Sequence, residues 1–173
     1  MSGTTTRTLA ALAVCTSLLL AVQVGKAALL PFLPNVELVS LLIMLYTLVF
    51  RRKVLYIIYL FTLLEGVIYG FHMWWVTYLY IWTVLAALTW LCRAIESPWL
   101  MAALSGVFGL FFGALDAIPY LFIGGVPMAV SRWLSGIPFD LIHCAGNFVL
   151  CLVLWKPLKK ALGFCMERLT RQA

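Results

Sequence analysis

Asp140, His143 and Asn147 follow one another at spacings of three and four residues in GIPFDLIHCAGNFVL. That spacing sets all three side chains on one face of a helix. A carboxylate, an imidazole and a carboxamide in one stripe can orient a small molecule by hydrogen bonds. Asp140 and His143 can also serve as an acid–base pair, or simply hold each other as a buried structural pair. The acid–base reading lacks a nucleophile. Cys144 adjoins His143 but points about 100° away on a helix, and Ser131 and Ser135 sit in no motif. Trp74, Tyr78 and Trp82 are spaced four apart and can stack into a flat apolar wall. Glu65 is embedded in LLEGVIYG, where a carboxylate is costly in lipid unless a cavity or partner receives it. Asn35 and Glu37 stand in LPNVELVS, Asp116 and Tyr120 close an apolar run, and Arg132 with Trp133 precedes another. Plainer roles compete with these. Trp74 and Trp75 suit interface anchors, and Lys26 can snorkel or pair with Glu37.

The elements that must carry these residues are membrane helices. Of 173 residues, 65% are hydrophobic and 10% charged, more apolar surface than a soluble domain can hide. A spanning helix needs about 20 apolar residues. Apolar runs occur at 8–30, 36–50, 54–71, 76–92, 99–117 and 134–155. The second and third are short and span only by borrowing flanking residues or thinning the bilayer. Between the fifth and sixth, PYLFIGGVPMAVSRW reads as a structured loop or half-inserted turn. The expected architecture is one all-α domain of six transmembrane helices over residues 1–173, ending in a basic tail at 156–173.

Orientation follows from Lys and Arg, which stay on the cytoplasmic side. With Arg7 inside, Arg51, Arg52, Lys53, Arg93, Lys156, Lys159, Lys160, Arg168 and Arg171 also fall inside. Only Lys26 and Arg132 fall outside. Both termini are therefore expected in the cytoplasm, in a cell-membrane protein. The first run reads as a retained helix and not a signal peptide, since its loss would expel RRK or KPLKK. The net charge of +6 lies at the ends of apolar runs, without a basic patch interleaved with aromatics, which disfavours nucleic acid. The five cysteines form no CxxC pair, so neither a disulfide framework nor a structural zinc site is expected.

In this frame nearly every polar group belongs to the outer half, above almost purely apolar inner halves. A channel needs polar groups along its whole path; a cup open to the outside needs them on one side only. Small residues also repeat at four-residue spacing: Ala13, Ser17, Ala21 and Gly25 in the first run, and Ser105, Gly109, Gly113 and Ala117 in the fifth. Each stripe lets another helix approach closely, within this chain or in a partner.

LPNVELVSLL, LLEGVIYGF, the IPYLFIGG loop and GIPFDLIHCAGNFVL together resemble the S components of energy-coupling factor (ECF) transporters, over roughly residues 8–158. The resemblance implies a subunit that binds a vitamin, cofactor precursor or metal ion from outside. It would then join a transmembrane coupling protein and two cytoplasmic ATPases. No catalytic residues, cofactor or resident metal are expected in the chain itself, and it has no GxxxxGK[ST] sequence. Family contacts with the coupling protein use an AxxxA pattern, matched loosely here by Ala13, Ser17 and Ala21. The family pocket, carried onto this sequence, nominates Asn35, Glu37, Trp75, Tyr78, Asp116, Arg132, Asp140, His143 and Asn147, to which the residue reading adds Glu65. Four outer acids against Lys26 and Arg132 disfavour a strongly anionic ligand, and aromatic walls favour a flat ring. A heterocyclic vitamin or modified-base precursor suits both. Two rival readings are an intramembrane enzyme built on Asp140 and His143, and a non-catalytic partner subunit.

Overall fold

The computed structural model describes residues 6–29, 32 and 35–171. Residue 30 of the first expected helix, Leu33 and Pro34 of the first outer loop, and the end of the basic tail at 172–173 lie outside the described residues. Every regular element among the described residues is helical. In chain order they are α1 (Thr6–Leu29), α2 (Val39–Phe50), a 3-10 turn at Arg51–Lys53, α3 (Val54–Tyr69), α4 (Met73–Leu91), α5 (Pro98–Leu110), α6 (Phe112–Asp116), a 3-10 turn at Ile118–Tyr120 and α7 (Leu121–Arg171).

Three helical stretches are long and apolar enough to cross a membrane: Thr6–Leu29, Met73–Leu91 and Phe112–Arg168. Large apolar side chains lie exposed along α1, α3, α4, α5 and α7, among them Val14, Val67, Val107, Phe122 and Val153. A soluble protein has no use for apolar surface spread over most of its helices; a lipid-facing perimeter requires it. All-helical among the described residues, the chain has the apolar helices expected of a membrane protein.

Each helix turns one stripe inward. In α1 the buried residues are Leu12, Cys15, Thr16 and Leu19, a spacing of three, one and three that follows the helical repeat. On α3 they are Val54, Ile57, Ile58, Phe61, Thr62, Glu65 and Gly66. The exception is α2, whose residues Val39 to Thr47 are all buried. A helix apolar all round belongs at the centre of a bundle, and α2 packs there against α1, α3, α4 and α7. Its 12 residues rise only about 18 Å.

The tightest pairing is α5 against α7. At Gly109 a Cβ would lie 2.9 Å from the His143 carbonyl, so only glycine allows this approach. Lipid supplies no hydrophobic drive between helices, and close backbone packing of this kind replaces it. The small-residue stripe of the fifth run therefore faces inward, with Ser105 fully buried against α7's Asn147. The stripe of the first run does the opposite. Ala13, Ser17 and Ala21 all lie on the exposed face of α1, and Gly25 has nothing within 4 Å of its would-be side chain.

One expectation needs correction. The segment 119–133, read as a loop from its glycines and prolines, is a 3-10 turn followed by helix. The break is confined to Gly124 and Gly125, the latter at φ 68. Helix resumes at once because Pro127 falls in the first turn after the break, where its missing N–H costs nothing. The last helix accordingly runs far past the expected 134–155 at both ends, and the basic segment through Arg171 is helical.

Candidate functional site

Chain direction sorts the bundle into two ends. Arg51, Arg52, Arg93 and Lys156 lie at one, with the start of α1; this is the basic end. The other end carries the start of α4, the close of α3 and the α5–α6 junction. Buried polar side chains differ sharply between them. Toward the basic end Thr16, Thr47 and Thr89 each donate to the carbonyl four residues back, at 2.9, 2.7 and 2.8 Å, so they make no demand on neighbours. The Trp155 indole is a buried group there without a hydrogen-bond partner among the described residues, and the Tyr46 hydroxyl lies beside Cys15. At the far end are buried Glu37, Glu65, Asp116, Asp140, His143 and Asn147.

A cavity of about 560 Å³ opens at this polar end. Its walls come from Asn35, from Trp74 and Tyr78 of α4, from Phe112, Gly113 and Asp116 of α6, and from Arg132 to Asp140 of α7. The aromatic wall runs down α4: Trp74 meets Tyr78 edge to face at 5.1 Å, and Tyr78 meets Trp82 in the same way at 5.1 Å. Larger, more apolar hollows lie elsewhere, for example between α1, α2 and the end of α7. They bring together few polar groups, whereas small-molecule recognition needs several convergent ones.

Local chain breaks place the polar atoms. The helix interrupts at Phe111, and the Gly113 amide donates to Asp140 Oδ1 at 2.9 Å. A side chain at Gly113 would drive straight into that carboxylate. Three residues on, Asp116 is fully occupied. Its Oδ1 accepts from Thr77 at 2.9 Å, and its Oδ2 accepts Arg132 Nε at 2.9 Å and Nη2 at 2.7 Å. The Arg132 guanidinium also lies 5.5 Å from the centre of the Tyr120 ring.

Behind the cavity lies a second layer. His143 Nε2 is 3.9 Å from Glu37 Oε1, too long for a hydrogen bond, and its ring packs 4.9 Å from that of Phe112. Glu37 sits in the segment joining α1 to α2. Burial pushes its carboxyl above the ordinary value, and Lys26 and then Gln23 pull it back. Asn147 ties three helices together, its Nδ2 donating to Ser40 Oγ at 3.1 Å and to the Ser105 carbonyl at 3.3 Å. Several buried atoms in and beneath the cavity have no partner among the described residues: Glu65 Oε1, Asp140 Oδ2, Asn147 Oδ1, Trp82 Nε1 and both ring nitrogens of His143.

Of the nominated residues, Asn35, Tyr78, Asp116, Arg132 and Asp140 line the cavity. Glu37, Glu65, His143 and Asn147 lie buried at the same end but do not form its wall. Trp75 is turned away, donating from Nε1 to the Thr62 carbonyl at 2.9 Å and packing on Phe71. Its neighbour Trp74 takes the wall position instead. Phe112, Gly113, Ser135, Gly136 and Phe139 also line the cavity without having been nominated. Gly113 alone carried a signal, as part of the small-residue stripe. No group of three or more His, Cys, Asp or Glu among the described residues could hold a metal ion. No protein-family model, curated protein or solved structure matches this chain.

Proposed function

We propose that this chain is the substrate-binding subunit of an ECF-type importer, capturing a vitamin or a cofactor or modified-base precursor at an outward-facing cavity. One observation carries the reading. Buried polar atoms without partners gather beside a cavity at one end of the bundle, while buried threonines at the other end satisfy themselves. Unpaired buried polar atoms are expensive, and a bound solute offsets that cost.

In this reading α1 to α4, the α5–α6 pair and α7 make six crossings. Short α2, α3 and α5 borrow flanking residues or sit in locally thinned bilayer. The basic end faces the cytoplasm with both termini, and the cavity opens outward in the cell membrane. The exposed Ala13, Ser17 and Ala21 face meets the transmembrane coupling protein, with ATP hydrolysed on two cytoplasmic partners and no chemistry in this chain.

Native mass spectrometry of protein purified without added ligand tests this. A stoichiometric small heterocycle is expected. Turnover of a lipid or peptide that disappears in His143→Ala, with no bound heterocycle, would replace the importer by an intramembrane enzyme.

A further inference from the structure

The cavity wall holds two carboxylates, Asp116 and Asp140, and among the described residues one cation, Arg132; Glu37 and Glu65 lie buried at the same end, with Lys26 acting on Glu37. An arginine in a ligand cavity ordinarily suggests an anion receptor. Here its Nε and Nη2 both lie on one oxygen of Asp116, whose other oxygen is taken by Thr77. Neutralised by Asp116, the guanidinium offers a ligand little net charge.

Asp140 is in a different state. It lines the cavity and is 3% exposed. Gly113 satisfies Oδ1, and Oδ2 has no donor. Glu65, Asn147, Trp82 and His143 also carry open atoms, acceptors and donors alike, but none of them lines the cavity, which leaves Asp140 Oδ2 as the open buried atom on its wall among the described residues. Asn147 directs its N–H groups to Ser40 and Ser105, which fixes the oxygen as the open side. The carboxylate torsion of an aspartate is soft; rotation moves both oxygens together, so Oδ2 can tilt toward an arriving donor within the tolerance of the Gly113 hydrogen bond.

We infer that the cavity takes a planar ring whose inward edge carries N–H donors, cationic or neutral, read by Asp140, and that it excludes ligands entering by a carboxylate or phosphate. The inference rests on the substrate-binding reading above and narrows it. Trp74, Tyr78 and Phe112 supply the ring contacts, and Arg132 braces the wall without anchoring the ligand.

The test uses the full chain in lipid nanodiscs. Tryptophan fluorescence titrations compare 2,4-diaminopyrimidine and benzamidinium with orotate and benzoate. The donor probes should bind at least about tenfold more tightly than the anions, the worth of one charge-assisted hydrogen bond. Asp140→Asn keeps an oxygen for Gly113 but replaces the open acceptor by an N–H donor; it should weaken the donor probes by about tenfold or more. Anions binding as tightly as donors, or undiminished donor binding in a folded Asp140→Asn chain, would overturn the inference. If that variant does not fold, the ranking on the unmodified chain decides alone. Stoichiometric anion binding would sink the inference yet leave the importer reading standing; no bound probe and no co-purifying molecule would sink both.

Discussion

Breaking the Asp116–Arg132 pair tests whether the hairpin from α6 into α7 is pinned to the bundle where the structure has it. The Asp116 side chain is 12% exposed and that of Arg132 48%. At a charge separation of about 4 Å and an effective dielectric of about 20, the bare attraction is about 4 kcal/mol. Water reaches the half-exposed arginine and screens much of that, leaving a coupling of about 1–2 kcal/mol. Asp116→Ala also strips Thr77 of its acceptor, so the single substitution should cost about 3 kcal/mol. A cycle of Asp116→Asn, Arg132→Gln and the double variant isolates the pair. Unfolding by SDS in mixed micelles, followed by tryptophan fluorescence, reads each corner. A coupling below about 0.3 kcal/mol is within the additivity expected of unconnected sites, and would refute the claim that Arg132 is committed to Asp116. Asp116→Asn carries a second consequence: with its partner neutral, Arg132 should draw benzoate into a cavity that otherwise rejects it.

The remaining predictions concern packing, the buried layer and the outer face of α1. Gly109→Leu should destabilise the protein by about 3 kcal/mol or more, because nothing at the His143 backbone can move aside; Gly25→Ala, with open space around it, should leave the same SDS midpoint unchanged. Asn147→Ala removes the link between α2, α5 and α7 and should cost about 1–2 kcal/mol by the same assay. If the chain is the importer subunit proposed above, Ala13→Trp or Ala21→Trp should block assembly with a coupling protein in co-purification while ligand binding persists, since both residues lie on the exposed face. Normal transport by these variants would remove α1 as the docking helix.

Much of this was legible because lipid punishes polar side chains. A carboxylate embedded in LLEGVIYG or GIPFDLIH demands a reason, and Glu65 and Asp140 are buried at the same end of the bundle. Depth could be read from charge, so the polar layer was visible before any coordinates. Rotation about each helix axis was harder. Trp74 and Trp75 differ by about 100°; the four-residue spacing of Trp74 with Tyr78 and Trp82 put Trp74 on the wall face, and the Thr62 carbonyl, on another helix, holds Trp75 away from it. Phe112 lines the cavity beside a break at Phe111, where the flanking Gly109 and Gly113 read as a packing stripe and not as a break. The GGVP segment misled for the reverse reason. Its breakers act on two residues, and helical neighbours absorb them.

The shortness of α2, a weakness when counting spans, is what makes room for the candidate site. Helix α4 has 19 residues and α2 has 12, a difference of about 10 Å in rise. Because α2 is central and its final residue reaches the basic Arg51–Lys53 turn, the shortfall falls wholly at the polar end. The segment before it therefore dips into the bundle instead of running over the top. That dip sets Asn35 on the cavity wall, with its Nδ2 3.4 Å from the Phe139 carbonyl, and lowers Glu37 to His143. A full-length α2 would fill this space with apolar side chains, leaving Asp140 no cavity to face. Extending α2 by two turns at its N-terminus, with Leu in place of Glu37, should therefore stabilise the fold against SDS yet abolish binding of any small molecule. Retained binding in such a chain would mean that the central helix does not delimit the cavity.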